Sequence, residues 1–223
     1  METKTLQILV SLSIDEIKNK LRVVDSGQAQ RLLEVAYPLI SAQALYEVSH
    51  IDEKFEDSVV IHRIRFSSQV LRKNLDEVEK VFPYIVTIGS GLEEEARKCT
   101  DMLEQYYLDM IGNIALTKAR KHLEDHLQSF FGFTCLSYMS PGSLPDWPIE
   151  EQTPLFSLFK GAENSIGVRL TESLLMIPRK TVSGIFFPSE VTFYSCQLCQ
   201  REKCEGRKAK YNEDLARQYN IKE

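Results

Sequence analysis

The apolar positions of this chain run at helical spacing through its first part and in short strand-like stretches after Gly132. Lys4–Ser11 is apolar with partial alternation and predicts a strand. Ser13-Ile14-Asp15-Glu16 has the order of a capping box and opens a short helix. Past Asp25-Ser26-Gly27, Leu32, Leu33, Ala36, Leu39, Ile40 and Ala44 recur at helical spacing, and Pro38 kinks or breaks that helix. Ser58–Phe66 predicts a strand, Ser68–Val78 a helix, and Val81–Ile88 a strand that turns through Gly89-Ser90-Gly91 into the next helix. Leu92 to about Phe130 reads as helix, broken near Thr100-Asp101, with Leu103, Tyr107, Met110, Ile114, Leu123 and Leu127 as its core stripe.

After Gly132 come Phe133–Tyr138, Val168–Thr171, Leu174–Ile177, Val182–Phe187 and Val191–Tyr194, five short stretches separated by turns. One helix, Ile149–Phe159, interrupts them, with Asp146 as its cap, and the tail from Glu205 to Tyr219 reads as an exposed helix. The pattern is α+β. A helix-rich half (1–130) packs on a mostly antiparallel sheet (131–204), followed by a helical tail (205–223), all in one unit.

Composition narrows the field. With 43% apolar residues in 223, the chain can offset the entropy of ordering, so a disordered protein is excluded. No apolar run approaches the roughly 20 residues of a membrane span. The start has no basic segment followed by an apolar one, so a cytoplasmic protein is expected. A net charge of −5 gives no general attraction to nucleic acid. The basic strip Arg201, Lys203, Arg207, Lys208 and Lys210, interleaved with Glu202 and Glu205, reads as solvated surface. Glu93, Glu94 and Glu95 follow the Gly-Ser-Gly turn and would repel an anion, which makes the turn structural. His122 and His126 lack the H-E-x-x-H order of a zinc helix and read as a solvated face.

Two segments carry unusual chemistry. Met139 to Pro148 holds three prolines, a glycine and the only tryptophan, Trp147, in a stiff loop whose backbone groups are preorganised. Thr171-Glu172-Ser173 places a carboxylate and two hydroxyls among apolar strand residues. A buried carboxylate there needs a cation, for which Arg169 and Arg179 are at hand. Cys196, Cys199 and Cys204 lie within nine residues, a spacing that suits a metal or redox group, with Cys135 or Cys99 as a fourth ligand.

Ser140-Pro141-Gly142, Trp147-Pro148-Ile149-Glu150, Ile166-Gly167-Val168, Leu170-Thr171-Glu172-Ser173, Met176-Ile177-Pro178, Val182-Ser183-Gly184 and the later Tyr194 occur in one order. Together they resemble the activation domain of cobalamin-dependent methionine synthase. Thr87-Ile88-Gly89-Ser90-Gly91 and the helices after it resemble the stand-alone bacterial members, and the likeness spans roughly residues 30–210.

The resemblance implies S-adenosylmethionine bound by Tyr138, Ser140, Pro141, Gly142, Trp147, Glu172 and Tyr194. It also implies cobalamin carried by a partner, the cobalamin-binding module of methionine synthase or another corrinoid protein, and an electron from a reductase, flavodoxin or ferredoxin. The protein would then be a stand-alone reactivation subunit acting in reductive methylation. Two departures stand out. The family's loop begins with an arginine that holds the ligand and ends in tyrosine, where this chain has Tyr138 and Ser143. The cysteines Cys196, Cys199 and Cys204 are also absent from the large fused synthase, and would hold an iron–sulfur cluster or zinc, or remain free thiols. The alternative reading is therefore a metal- or iron–sulfur-binding adaptor or electron carrier that docks on a corrinoid protein without binding S-adenosylmethionine. An independent small-molecule methyltransferase would need a Gly-rich Rossmann turn that the chain lacks.

Overall fold

The computed structural model describes residues 3–21, 25–204 and 206–219. Met1, Glu2 and Glu205, which the reading of the chain's start and tail includes, lie outside the described residues, as do 22–24 and 220–223. Strand β6 (Lys80–Thr87) is the axis of an eight-stranded sheet. Along one edge it pairs with β2 (Gln43–Glu47) and β3 (Ser49–Lys54), which continue one register, Gln43 opposite Thr87 and Ser49 opposite Val81. Its other edge pairs with β10 (Thr181–Pro188), and β10 pairs in turn with β7 (Leu136–Met139). β1 (Thr3–Gln7) flanks β2, and β4 (Ser58–Ile61) and β5 (Ile64–Ser67) extend the sheet beyond β3. Every pairing is antiparallel.

Both faces of the sheet are covered, because successive side chains of a strand point to opposite sides. Phe82, Tyr84 and Val86 of β6, with Phe186 of β10, face α1 (Ile14–Leu21), α2 (Ser26–Ala36) and the 30-residue α5 (Met102–Phe131). Val81, Ile85, Ile185 and Phe187 face α3 (Gln69–Asn74), α6 (Gln152–Leu158) and α7 (Ala162–Ile166). β8 (Arg169–Leu170) and β9 (Met176–Ile177) form a separate ribbon. The expected break near Thr100-Asp101 separates α4 (Gly91–Lys98) from α5. Asp101 Oδ1 accepts from Leu103 N at 2.8 Å, and Gly132 ends α5 at φ 72°, a conformation that suits a residue without Cβ.

The α+β class holds, but several details differ from the sequence reading. Six of the eight sheet strands precede residue 88, so the division into a helical half and a sheet half is corrected. The helix from Ser26 stops at Ala36; Tyr37–Leu39 is a 3₁₀ turn around Pro38, and Ala44 belongs to β2. Ser58–Phe66 is a hairpin, folded at His62 and Arg63, which take φ 51° and 63° without a glycine to announce the turn. Val191–Tyr194 is not a strand; it runs beside β7, with Phe193 N donating to Ser137 Oγ at 2.7 Å. Among the described residues of the tail only α8 (Glu213–Gln218) is helical, and its Ala216 is buried. His122 is exposed as expected, whereas His126 is half-buried, its Nε2 3.2 Å from Tyr46 Oη.

Glu93, buried on α4, fastens this helix to the start of β10. It accepts from Arg179 N at 3.1 Å and Arg179 Nε at 3.0 Å and also pairs with Arg97. Burial pushes its carboxyl up, but the Arg179 backbone N–H and the Arg179 and Arg97 guanidiniums outweigh this and hold it below the ordinary value. A lowered folded-state value stabilises the fold above the unfolded value, 4.5, and that contribution is lost as pH falls through the folded value. Urea midpoints should therefore drop on acidification below about pH 4.5, and Glu93→Gln should flatten that drop. At neutral pH the same change should cost about 1 kcal/mol, since both arginines reach well into solvent.

Candidate functional site

The loop after β7 is built as a closed clip. Gly142 N donates to Trp147 O at 2.7 Å, Trp147 N to Leu144 O at 3.1 Å, and Ser143 N to Ser140 O at 3.1 Å. Pro141 and Leu144 point inward, leaving Gly142 and Ser143 at the surface. Gly184 of β10 lets the loop leave the sheet closely: a Cβ there would lie 2.3 Å from Met139 O and 2.8 Å from Ser140 Oγ. Trp147 is fully buried against Phe66, centroids 6.5 Å apart, with Nε1 3.3 Å from Glu151. It therefore anchors the loop from beneath, and its expected place among ligand-touching residues is corrected. Asp146 caps α3 rather than the helix that follows it, accepting from Gln69 N at 3.2 Å, Val70 N at 3.0 Å and the Ser68 hydroxyl.

Beside this loop, β7, α5 and the segment after β10 enclose a cavity of about 330 Å³. Tyr138 and Tyr194 line it together with Arg120, Glu124 and Lys208. Arg120 Cζ sits 4.1 Å from the centre of the Tyr138 ring, and its Nη1 is 3.3 Å from Glu124 Oε2. Lys208 Nζ donates to Tyr138 Oη at 2.7 Å. Lys121, also on the wall, pairs with Glu124 at 2.7 Å and Asp125 at 2.9 Å. Burial works against its charge, but those carboxylates outweigh burial and hold the ammonium above the ordinary lysine value. Nearby, Tyr84 stacks on Phe186 at 4.3 Å, and burial drives its phenol well above the usual tyrosine range.

The remaining expected residues lie apart from the cavity wall. Thr171-Glu172-Ser173 is a turn between β8 and β9, and Glu172 is exposed there, not a buried strand carboxylate. It needs no cation on account of burial; Arg169 is exposed, and Arg179 is taken up by Glu93. Cys196 lies in the 3₁₀ turn Ser195–Leu198, with Cys199 just beyond it and Cys204 exposed. This loop winds around Arg207, which donates to the carbonyls of Cys196 and Cys199 at 3.2 Å each and to those of Ala209 and Arg201. Among the described residues no three His, Cys, Asp or Glu side chains converge as metal ligands. The suggested fourth ligands are engaged elsewhere. Cys135 Sγ is 2.9 Å from Thr192 Oγ1, and Cys99 Sγ donates to Glu95 O at 3.4 Å. Among the described residues the donor set thus does not fit a cluster or zinc ion.

Arg120 is the residue that sequence reading missed. The signal was present: it lies between Ala119 and Leu123, both fully buried. A cation at the edge of an apolar stripe needs a partner, and eighteen positions separate it from Tyr138 in the chain.

The fold and site define an α+β domain with a ligand-sized cavity at one edge of an antiparallel sheet. Comparison with solved structures places this fold: the crystal structure of the MetH reactivation domain bound to AdoHcy matches with a TM-score of 0.56 at 15% identity. The match covers 87% of this chain and 81% of that one. Residues 140–212, which include the loop, β10 and the Cys196 turn, match the family described as the vitamin B12 dependent methionine synthase activation domain. No curated protein matches the chain. Among the described residues, no helix is long and apolar enough to cross a membrane.

Proposed function

We propose that the chain, as one activation-domain-like unit, binds S-adenosylmethionine and serves the reductive methylation of cobalamin held by a partner protein. The partner would be the cobalamin-binding module of a methionine synthase or another corrinoid protein, with the electron coming from a reductase, flavodoxin or ferredoxin. The observation that carries this reading is the cavity at Tyr138 and Tyr194, next to the Ser140-Pro141-Gly142 clip, in a fold shared with an AdoHcy-bound domain.

The ligand supplies an activated methyl group, and the transfer demands alignment more than proton exchange. The chain's part is accordingly to hold and orient. Ser140, Pro141 and Gly142 are not on the cavity wall, and Pro141 is buried. The clip, its backbone fixed by three hydrogen bonds, therefore serves to hold the end of β7 and with it Tyr138 in place, and little ordering entropy is lost on binding. Tyr138 and Tyr194 offer aromatic walls, and the cations beside them suit the anionic end of an amino acid.

The absence of arginine at Tyr138 favours a second reading, an adaptor that docks on a corrinoid protein without a nucleoside ligand. Calorimetric titration of the purified chain with S-adenosylmethionine separates the two. Saturable binding that weakens with Tyr194→Ala supports the first, and no heat at millimolar ligand leaves the adaptor.

A further inference from the structure

We infer that Arg120, from the middle of α5, supplies the cation that holds the ligand's carboxylate, assisted by Lys208, in place of the loop arginine that Tyr138 replaces. The inference rests on the nucleoside-binding reading above and names the group that makes it workable in this chain.

Three observations converge on Arg120. It is 8% exposed, so its guanidinium has given up most of its water, and such a charge needs compensation from an anion. Its one hydrogen bond among the described residues goes to Glu124, which Lys121 also claims at 2.7 Å. A guanidinium carries five N–H donors, so most of this fork is uncommitted. The charge balance of the wall gives the second observation: Glu124 and, through Lys121, Asp125 answer two of the three cations Arg120, Lys121 and Lys208, which leaves one positive charge uncompensated in a chain of net charge −5. That surplus invites an anion.

The third observation is geometric. The Tyr138 ring carries Arg120 against its π system at 4.1 Å, while Lys208 lies 5.1 Å from the same ring and bonds its hydroxyl at 2.7 Å. A guanidinium stacked on an aromatic ring keeps its edge donors free for a carboxylate in its own plane. Tyr138 thus acts as the platform that aims two cations into the cavity, so replacing the loop arginine moves the positive charge to the helix wall without removing it. Arg169 and Arg179 are not available for this task, the first exposed on the β8–β9 ribbon and the second bound to Glu93.

The test compares two probes that share the adenosine thioether: S-adenosylhomocysteine, and 5′-methylthioadenosine, which lacks the amino-acid group. In calorimetric titrations Arg120→Gln should weaken S-adenosylhomocysteine about 10- to 100-fold and leave methylthioadenosine unchanged. Tyr138→Arg added to Arg120→Gln should recover part of the loss, because it restores a cation at the loop. Equal weakening of both probes would show a merely structural arginine and overturn the inference, as would no change for either. If Arg120→Gln does not fold, Lys208→Gln at an exposed position carries the same comparison, and selective loss of S-adenosylhomocysteine is again required. An unmodified chain that binds neither probe removes the nucleoside-binding reading and this inference together. An unmodified chain that binds S-adenosylhomocysteine with an indifferent Arg120→Gln removes the inference alone.

Discussion

Gly184→Ala should unfold or severely loosen the protein and abolish ligand binding with it. The strand carrying Gly184 is paired on both sides, with β6 and with β7, so its backbone cannot move aside. The added methyl would meet the Met139 carbonyl oxygen at 2.3 Å, the Ser140 hydroxyl at 2.8 Å and the Tyr84 hydroxyl at 3.1 Å. The first of these is backbone at the end of β7, and relief of the clash means lifting the Ser140 clip off the sheet. Overpacking of this kind costs about 3 kcal/mol. A shift of the urea midpoint of that size, with no S-adenosylmethionine binding by the fraction that remains folded, is the expected result. A variant as stable as the parent would show that the clip does not lie over Gly184.

Trp147→Ala should be nearly as damaging for a different reason. Trp147 is buried without remainder among the residues of the sheet's second face, and its removal leaves a cavity that the stiff loop around it cannot collapse to fill. The loss should be about 3–5 kcal/mol, read from denaturant unfolding. Trp147→Phe should cost less, because it keeps an aromatic body against Phe66 and gives up chiefly the Nε1 bond to Glu151. In a chain with a single tryptophan, its fluorescence follows the same transition directly. Ligand binding by any folded Trp147→Phe protein should be close to normal, because the indole supports the clip from below.

Much of this was legible in residue order. Asp101 and Gly132 bracket α5 with a cap and a left-handed stop, and both signals are local. Val81–Ile88 is rich in β-branched and aromatic residues, and it is the sheet's axis, β6. β2 was not legible, because only Ala44, Leu45 and Tyr46 are apolar in it, and so short a run, following Leu39 and Ile40, cannot be told from helix by period alone. β3 escaped for the opposite reason: Ser49-His50-Ile51-Asp52-Glu53-Lys54 is mostly polar and is held by pairing more than by burial. At the site, the clip was readable in its prolines and glycine, and the resemblance pointed to Tyr138 and Tyr194. Arg120 was readable only as a cation at the edge of an apolar stripe, because its link to Tyr138 arises only when α5 packs on the sheet. Glu172 failed as a buried carboxylate because Thr171-Glu172-Ser173 forms a turn with its hydroxyls bonded to each other at 3.0 Å.

The role proposed for this chain is to enable the methylation of a partner's cobalamin. The direct measurement follows the visible spectrum of a purified methionine synthase cobalamin-binding module under anaerobic reduction with S-adenosylmethionine, with and without the chain. Methylated cobalamin should accumulate only when chain, methyl donor and electron source are all present, and more slowly with Tyr194→Ala. Equal rates with and without the chain would contradict it.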